Sequence, residues 1–590
     1  MRDPVREETE FRSANDLLHA RLQGRISRRE MIHRASSIGL ALPVVGILLQ
    51  ATGDNRAFAA ETTIPATKRS KPDGETKRGG TLNVGVVGVI DSLNPYLTSL
   101  FGPSFDILAG VMEGLLSFDS NQQLQPALAE SYGISDDGLV YTFNLREGVK
   151  FHNGDAFTSE DVLKTWEMLV NEDFPARQRL GWEKIKSIET PNARTAIVTT
   201  SEIYAPFLSN MSAGAFNNAV ISPKSLLEKG PGRFIRDSAD PVGTGAFQFV
   251  ERRGNQIVLE SFTGYWGGKP NLAQIIVTVY ETYAAQLEGL LVGEVDLIAH
   301  TGVPGDSKMR DVLEIEGINV YEYPGLTWGH LDLKQVDLLR DSRVRQALDY
   351  ATPRKRIVDE VLLGEAIPAV SDQSPGSWVF DDELNARSFK PERSAELLDD
   401  AGIKLNDDGW REYNGELFRI ELWGEASDPQ APGILNEIAA SWTEIGVVAT
   451  VKFEKRDILW GPTGYQFTDR MTAGYYRWSN VNDPDNMFYW HSSQIPTSPG
   501  GPGGNIPAFF NEYSFQDQID DLTSRAAAET DVDTRKALYV EIQALLLKEV
   551  PVIFLFWDKN FSAAAAKIGG FWPSVFNYLL WNAGDWYMVE

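Results

Sequence analysis

The sequence predicts an α/β protein of two or three domains, and three observations carry that expectation. The chain has 590 residues, too many for one hydrophobic core. Residues 417–453 read as strand, helix and strand in succession, a βαβ unit and hence a parallel sheet. The composition is 43% hydrophobic, 11% aromatic and 23% charged, that of a folded globular chain.

The formal net charge of −27 sets nucleic acid and anionic membrane surfaces aside as partners, since both would be repelled. No cysteine occurs, which excludes a disulfide framework, a thiol nucleophile, a Cys-based zinc site and a lipid-modified cysteine anchor.

Residues 1–59 read as a twin-arginine signal peptide. Ser27-Arg28-Arg29-Glu30-Met31-Ile32 supplies the paired arginines. A moderately apolar run from Ala35 to Ala51 follows, and Ala57-Phe58-Ala59 offers small residues for cleavage. Pro43 and two glycines interrupt the run, so it is too broken for a stable membrane span. The expectation is export by the twin-arginine machinery, removal of the signal and a soluble monomer in the periplasm. Residues 60–78 are polar with Pro and Lys and no apolar period, a linker.

Along the rest of the chain, Thr81 to Val86 reads as a buried strand, and Phe105, Leu108 and Val111-Met112 fall at helical spacing. From about 112 to 239 the texture changes to short strands and turns. Leu139 to Leu145 alternates and Val149-Lys150-Phe151 resumes the strand. Thr158 then caps a helix with Glu160 and Asp161 in its first turn and Val162, Trp166 and Leu169 on one face. Ile275 to Tyr280 is a β-branched run, Ala284 to Leu291 a helix ended by Gly293, and Val295 to Ile298 a strand. Asp341 caps a helix that turns Val344, Ala347, Leu348 and Ala351 inward. Thr352-Pro353 starts another with Ile357 and Val361 buried and Gly364 past its end. Leu417 to Trp423, Leu435 to Ile445 and Val447 to Phe453 make the βαβ unit. Pro499 to Gly504 is a surface loop. Ala537 to Leu547 is helical and Pro551 to Phe556 a buried strand.

Tests for catalytic chemistry are negative. Four histidines lie beyond the signal, widely spaced, and none has a ligand-type partner at i+3 or i+4. No G-x-S-x-G, P-loop or H-E-x-x-H motif occurs. With 82 acidic residues, chance carboxylate pairs are inevitable. The reading is a binding protein with no catalytic residues, metal or cofactor, and a secreted hydrolase is the remote alternative.

The stretch Gly474-Tyr475-Tyr476-Arg477-Trp478-Ser479-Asn480-Val481-Asn482-Asp483-Pro484-Asp485-Asn486 opens as an aromatic strand and ends in an Asn/Asp/Pro turn cluster. Tyrosines, an arginine and a side-chain amide stand where a buried strand would carry Val or Ile. That mixture suits a backbone edge facing a partly polar small ligand. The plain alternative is an amphipathic edge strand whose aromatics only pack.

Leu145-Arg146-Glu147-Gly148-Val149-Lys150-Phe151-His152-Asn153-Gly154-Asp155-Ala156-Phe157-Thr158-Ser159-Glu160-Asp161-Val162 resembles the signature of the family 5 extracellular solute-binding proteins, the peptide-, nickel- and oligosaccharide-binding components of ABC importers. Pro241 to Phe247, Asp341 to Leu348 and Glu549 to Phe556 agree with it, in the same order. The resemblance implies a two-lobed periplasmic binding protein fold (type II, cluster C-like) with an extra third domain. Lobe one would gather 79–111, 240–325 and 550–590, the extra domain 112–239, and lobe two 326–549. A solute captured between hinged lobes would be delivered to ABC permease subunits in the inner membrane, with no covalent chemistry.

Aligned through Asp483-Pro484, the aromatic stretch is similar to the segment that lies alongside the peptide in peptide-binding relatives. Tyr475, Tyr476, Arg477, Trp478 and Ser479 would line one wall, and Ser99 and Phe101 would face them from the other lobe. The relatives' amine-pairing aspartate falls on Asn480, and an uncharged amide offers no charge-assisted bond to an ammonium. Two ligand classes stay open: a short peptide or peptide-like solute, and an oligosaccharide or sugar-bearing opine. Trp328, Trp423, Trp478 and Trp490 are candidates to stack on sugar faces. Arg477 could pair with a ligand carboxylate or with a neighbouring acid.

Overall fold

Two strands far longer than the rest, residues 318–333 and 552–565, run side by side through the centre of the sheet and carry the architecture. The structure is a computed structural model that describes residues 76–98, 103–120, 122–177, 179, 181–214, 217–300, 316–384 and 387–589, all in a unit that begins at Pro72. The expected export signal and residues 60–75 of the expected linker lie outside the described residues.

In chain order, β1 (Thr81–Val87) buries Leu82, Val84 and Val86 on alternate positions, and the short helix α1 (Pro103–Leu108) follows. Residues 116–218 then build two small sheets from β2 (Leu116–Phe118), β3 (Leu124–Pro126), β4 (Ala129–Ile134), β5 (Val140–Leu145), β6 (Ile185–Asn192), β7 (Thr195–Thr200), β8 (Ser212–Gly214) and β9 (Asn217–Asn218). Their strand orders are β9-β8-β2-β3 and β4-β5-β7-β6. Helices α2 (Ser159–Val170) and α3 (Phe207–Asn210) belong to the same stretch. The start of α2 is as expected: the Thr158 backbone N–H and hydroxyl both donate to the Asp161 carboxylate, at 2.7 and 3.0 Å. The strand expected at Val149 to Phe151 does not form beyond a bridge between Lys150 and Ala156. Gly148 and Gly154, both at positive φ, fold that piece into a tight loop instead.

The chain returns to the main sheet through β10 (Phe247–Arg253), β11 (Gln256–Ser261), β12 (Gln274–Tyr280), α4 (Tyr283–Leu291), β13 (Leu297–His300) and the long β14 (Ile318–Leu333). Then come α5 (Ser342–Tyr350), β15 (Ala366–Pro368), β16 (Arg419–Glu425), α6 (Ala431–Glu444), β17 (Val448–Glu454), β18 (Ala473–Ser479), α7 (Gln516–Ala528), α8 (Val532–Glu549) and the long β19 (Val552–Ala565). The main sheet runs β10-β11-β12-β1-β13-β19-β14-β18-β16-β17, with β15 on β19.

The expected βαβ unit is present. β16 and β17 pair in parallel from Arg419–Val448 to Glu425–Glu454. Between them α6 buries Ile434, Leu435, Ile438 and Trp442, each worth about 1.5–3 kcal/mol of transfer free energy. The helix expected after Pro353 differs. Arg354–Arg356 makes one α-turn, and Ile357–Val361 widens to a π-turn before Gly364 at φ 78° ends it.

β14 and β19 pair antiparallel in two blocks, Ile318–Pro324 with Ala565–Lys559 and Trp328–Asp332 with Trp557–Val552. Between the blocks, Gly325, Leu326 and Thr327 stand opposite Asp558 alone. Pro324 brings no N–H to the ladder, and a Cβ on Gly325 would stand 2.9 Å from the Asp558 carbonyl oxygen, so the local sequence breaks the pairing here. One block joins the side of the sheet whose core holds Leu82, Val84, Ile275 and Leu297. The other joins the side whose core holds Leu331, Leu422, Ile438 and Ile553.

Candidate functional site

Strand β18 is paired along its whole length on one edge only. Ala473 to Ser479 lies opposite Leu333 to Thr327 of β14, but β16 pairs with it at Ala473 and Gly474 alone. The Lys334 N–H bonds the Thr472 carbonyl at 3.0 Å and the Asn480 N–H bonds the Leu326 carbonyl at 2.8 Å. By antiparallel alternation, the even-numbered residues therefore face β14. The backbone groups of Tyr475, Arg477 and Ser479 point the other way. Among the described residues no other strand takes up that edge. The parallel pairing with β16 takes the Tyr475 N–H at the start of that edge, and the Tyr489 hydroxyl donates to the Ser479 carbonyl at 2.7 Å at its end.

The side chains divide between two faces. Tyr475 is buried among Leu331, Leu333 and Phe556. Arg477 Nε donates to the Tyr475 hydroxyl at 3.1 Å, its Nη2 donates to Gln430, and its Nη1 lies 3.6 Å from the Asp558 carboxylate. Burial pushes the Asp558 carboxyl up to about 7, and the Arg477 charge offsets only part of that. Ser479 shares a 2.7 Å hydrogen bond with Thr327. On the other face Trp478 stacks on Tyr489 at 4.6 Å and 17°, and Tyr476 packs on Trp460 at 4.7 Å.

Three expectations need correcting or restating. Trp328 is fully enclosed by Trp478, Trp490, Phe554 and Trp557, so it is a core residue with no face to offer a ligand. Trp490 is equally enclosed and spends its indole N–H on Asp372 at 2.7 Å. Trp423 is 5% exposed and packs against Leu459 and Met471, away from this cluster. The Asn480 amide is engaged internally: its oxygen accepts from the Trp328 indole at 3.0 Å and its nitrogen donates to the Asp372 carbonyl at 2.5 Å. Arg477 has taken the neighbouring acid, Asp558, as its partner. Ser99 and Phe101 lie outside the described residues.

Sequence reasoning did not single out Asp372, Asp558 or Gln122, which the fold brings to this strand and the turn after it. Asp558 carried a legible signal, an acid at the end of the apolar run Pro551 to Trp557. Asp372 and Gln122 carried none, because each reaches the strand from a distant loop. Among the described residues no group of three His, Cys, Asp or Glu side chains could hold a metal ion.

The profile of the family described as "Bacterial extracellular solute-binding proteins, family 5 Middle" matches residues 123–498, more than half of the chain. The chain belongs to this family. Among family 5 relatives, the heme-binding protein A of Haemophilus influenzae is 27% identical over 488 residues, 77% of this chain and 83% of that protein. The dipeptide-binding protein of Pseudomonas aeruginosa is 28% identical over 487 residues, 77% of this chain and 84% of that protein. The crystal structure of HbpA2 from Haemophilus parasuis superposes with a TM-score of 0.75 at 24% identity, covering 87% of this chain and 100% of that one. The fold is thus the two-lobed α/β fold of family 5 binding proteins. Family 5 members bind small solutes and work with ABC permeases, and their family-level role is binding rather than catalysis.

Proposed function

We propose that this chain is the periplasmic solute-binding component of an ABC importer. It captures a short peptide or peptide-like solute between its two halves and passes it to a membrane permease. The observation that carries the peptide reading is the open edge of β18. The outward C=O of Tyr475 and the N–H and C=O of Arg477, next to the break between β14 and β19, offer the ladder that an extended peptide backbone completes. Tyr476, Trp478 and Ser479 would flank the bound chain, with Ser99 and Phe101 on the facing wall. We place the change of lobe at Gly325–Thr327 and at Asp558, where the two long strands lose register. Ligand contacts made to both halves then favour the closed form. Export by the twin-arginine route and a monomeric mature chain complete the reading.

Peptides stand ahead of sugars because Trp328 and Trp490, two of the candidate stacking platforms, are core residues. The test is a melting-temperature screen of the mature protein against di- to pentapeptides and di- to tetrasaccharides at saturating concentration. Stabilisation by peptides, lost when alternate peptide nitrogens are methylated, is the expected result. Stabilisation by saccharides alone would replace the peptide reading, and turnover of either class would point to a hydrolase.

A further inference from the structure

The turn that follows β18 is gripped by the small sheet β9-β8-β2-β3 and by α3. Gln122, in the turn between β2 and β3, donates from Nε2 to the Asn482 carbonyl at 2.5 Å and accepts at Oε1 from the Trp378 N–H at 3.1 Å. Both ends of one buried amide are therefore spent on two separate loops of the other half. Gln122 makes these bonds at φ 63°, a left-handed backbone that a residue other than glycine holds only when its surroundings compensate. A second grip comes from α3, where the Ser209 hydroxyl donates to the Asp483 carboxylate at 3.0 Å. That carboxylate is held in turn by both terminal nitrogens of Arg535 on α8, at 3.0 and 2.5 Å. A third is close approach. Gly214 on β8 sits so near the Asn482 amide that a Cβ there would overlap its nitrogen. Asn482, Asp483, Gln122 and Ser209 are all buried.

We propose that the β9-β8-β2-β3 sheet and α3 act as a clasp on the lobe-two turn at residues 482–485, with Gln122 and Ser209 as positioning residues. Ser479 ends the ligand-facing strand and Asn482 begins the clasped turn, so clasp and strand share one short piece of backbone. In the open form Gln122 gives up both loops, and the strand end loses its outer support. The clasp stabilises the closed arrangement whether or not a solute is present. Its coupling to solute capture rests on the peptide-edge reading; the clasp itself does not.

Hydrogen exchange and small-angle scattering on the full mature chain without added solute test this directly. In the wild type, the amides of residues 480–486 should be protected. Gln122→Ala and, from a different element, Ser209→Ala should each speed exchange across 480–486 by about tenfold, the effect of losing roughly one net buried hydrogen bond. Each should also raise the radius of gyration, while exchange in α6 and β16 stays unchanged. Unprotected 480–486 amides in the wild type would overturn the clasp. So would wild-type exchange and size in both variants, or an effect of Gln122→Ala confined to unfolding of residues 116–218. Failure of the peptide screen with accelerated exchange in these variants would refute the ligand reading and leave the clasp standing.

Discussion

Asn480 places its amide oxygen on the Trp328 indole and its amide nitrogen on the Asp372 carbonyl, so the residue type is set from inside the protein. An aspartate there could still accept from Trp328 but would turn an oxygen toward the Asp372 carbonyl. Asn480→Asp should therefore destabilise the protein by about 1–3 kcal/mol at neutral pH. The loss should shrink in acid, where the introduced carboxyl regains a proton to donate. Urea unfolding at pH 7.5 and pH 5 checks both statements. Arg477 offers the converse case. Removing its charge in Arg477→Met leaves Asp558 buried without a counter-ion, whereas Arg477→Met with Asp558→Asn removes both charges. The single variant should lose about 1–3 kcal/mol, below the usual cost of breaking a buried pair because the two groups stand 3.6 Å apart. The double variant should recover most of it, as a double-mutant cycle would show. The aromatic and polar composition of 474–480 was legible in the sequence. Which side chains are spent on the core or on a counter-ion was not, because that depends on strands more than a hundred residues away.

At the scale of elements, short-range chemistry was read well and long-range pairing was not. The capped start of α2, the βαβ unit at β16–α6–β17 and the helix begun by Asp341 depend on neighbours within a few turns. The Asp341 carboxylate accepts from the Arg343 N–H at 2.9 Å. The apolar run Pro551 to Phe556 is only the first part of β19, which continues through Asp558, Lys559 and Asn560 because β15 supplies a partner to Asp558 and β14 to Lys559 and Asn560. Polar residues tolerate that path when the sheet satisfies their backbone. The break between the long strands has a local cause, Pro324-Gly325, and a local test. Gly325→Ala should cost about 1–3 kcal/mol, since the new methyl meets the backbone of Asp558. Gly133→Ala, where nothing lies within 4 Å, should be close to neutral. Denaturant midpoints compare the two.

Across the whole molecule, several carboxyls are buried with little compensating charge. Burial pushes Glu113 and Asp558 up to about 7 and Asp106 and Asp485 up to about 6, although Glu113 accepts from Trp266, Thr244 and Tyr265 at 2.8, 2.7 and 3.0 Å. Unfolded carboxyls titrate near 4. Between roughly pH 4 and 7 the native chain thus holds protons that the unfolded chain has released, and stability falls as pH rises through that window. The slope is at most about 1.4 kcal/mol per pH unit for each such group. The net charge of −27 adds repulsion in the same direction. Denaturant midpoints should be higher at pH 5.5 than at pH 7.5 and level off above that. By itself, the sequence determined the α/β class and the family, because composition, caps and ordered motifs are properties of contiguous residues. Only the tertiary structure decided that Trp328 is core, that Asn480 is an internal brace and that Gln122 reaches Asn482. Those facts depend on which distant loops meet around one strand edge, and loop closure across hundreds of residues leaves no periodic trace in the chain.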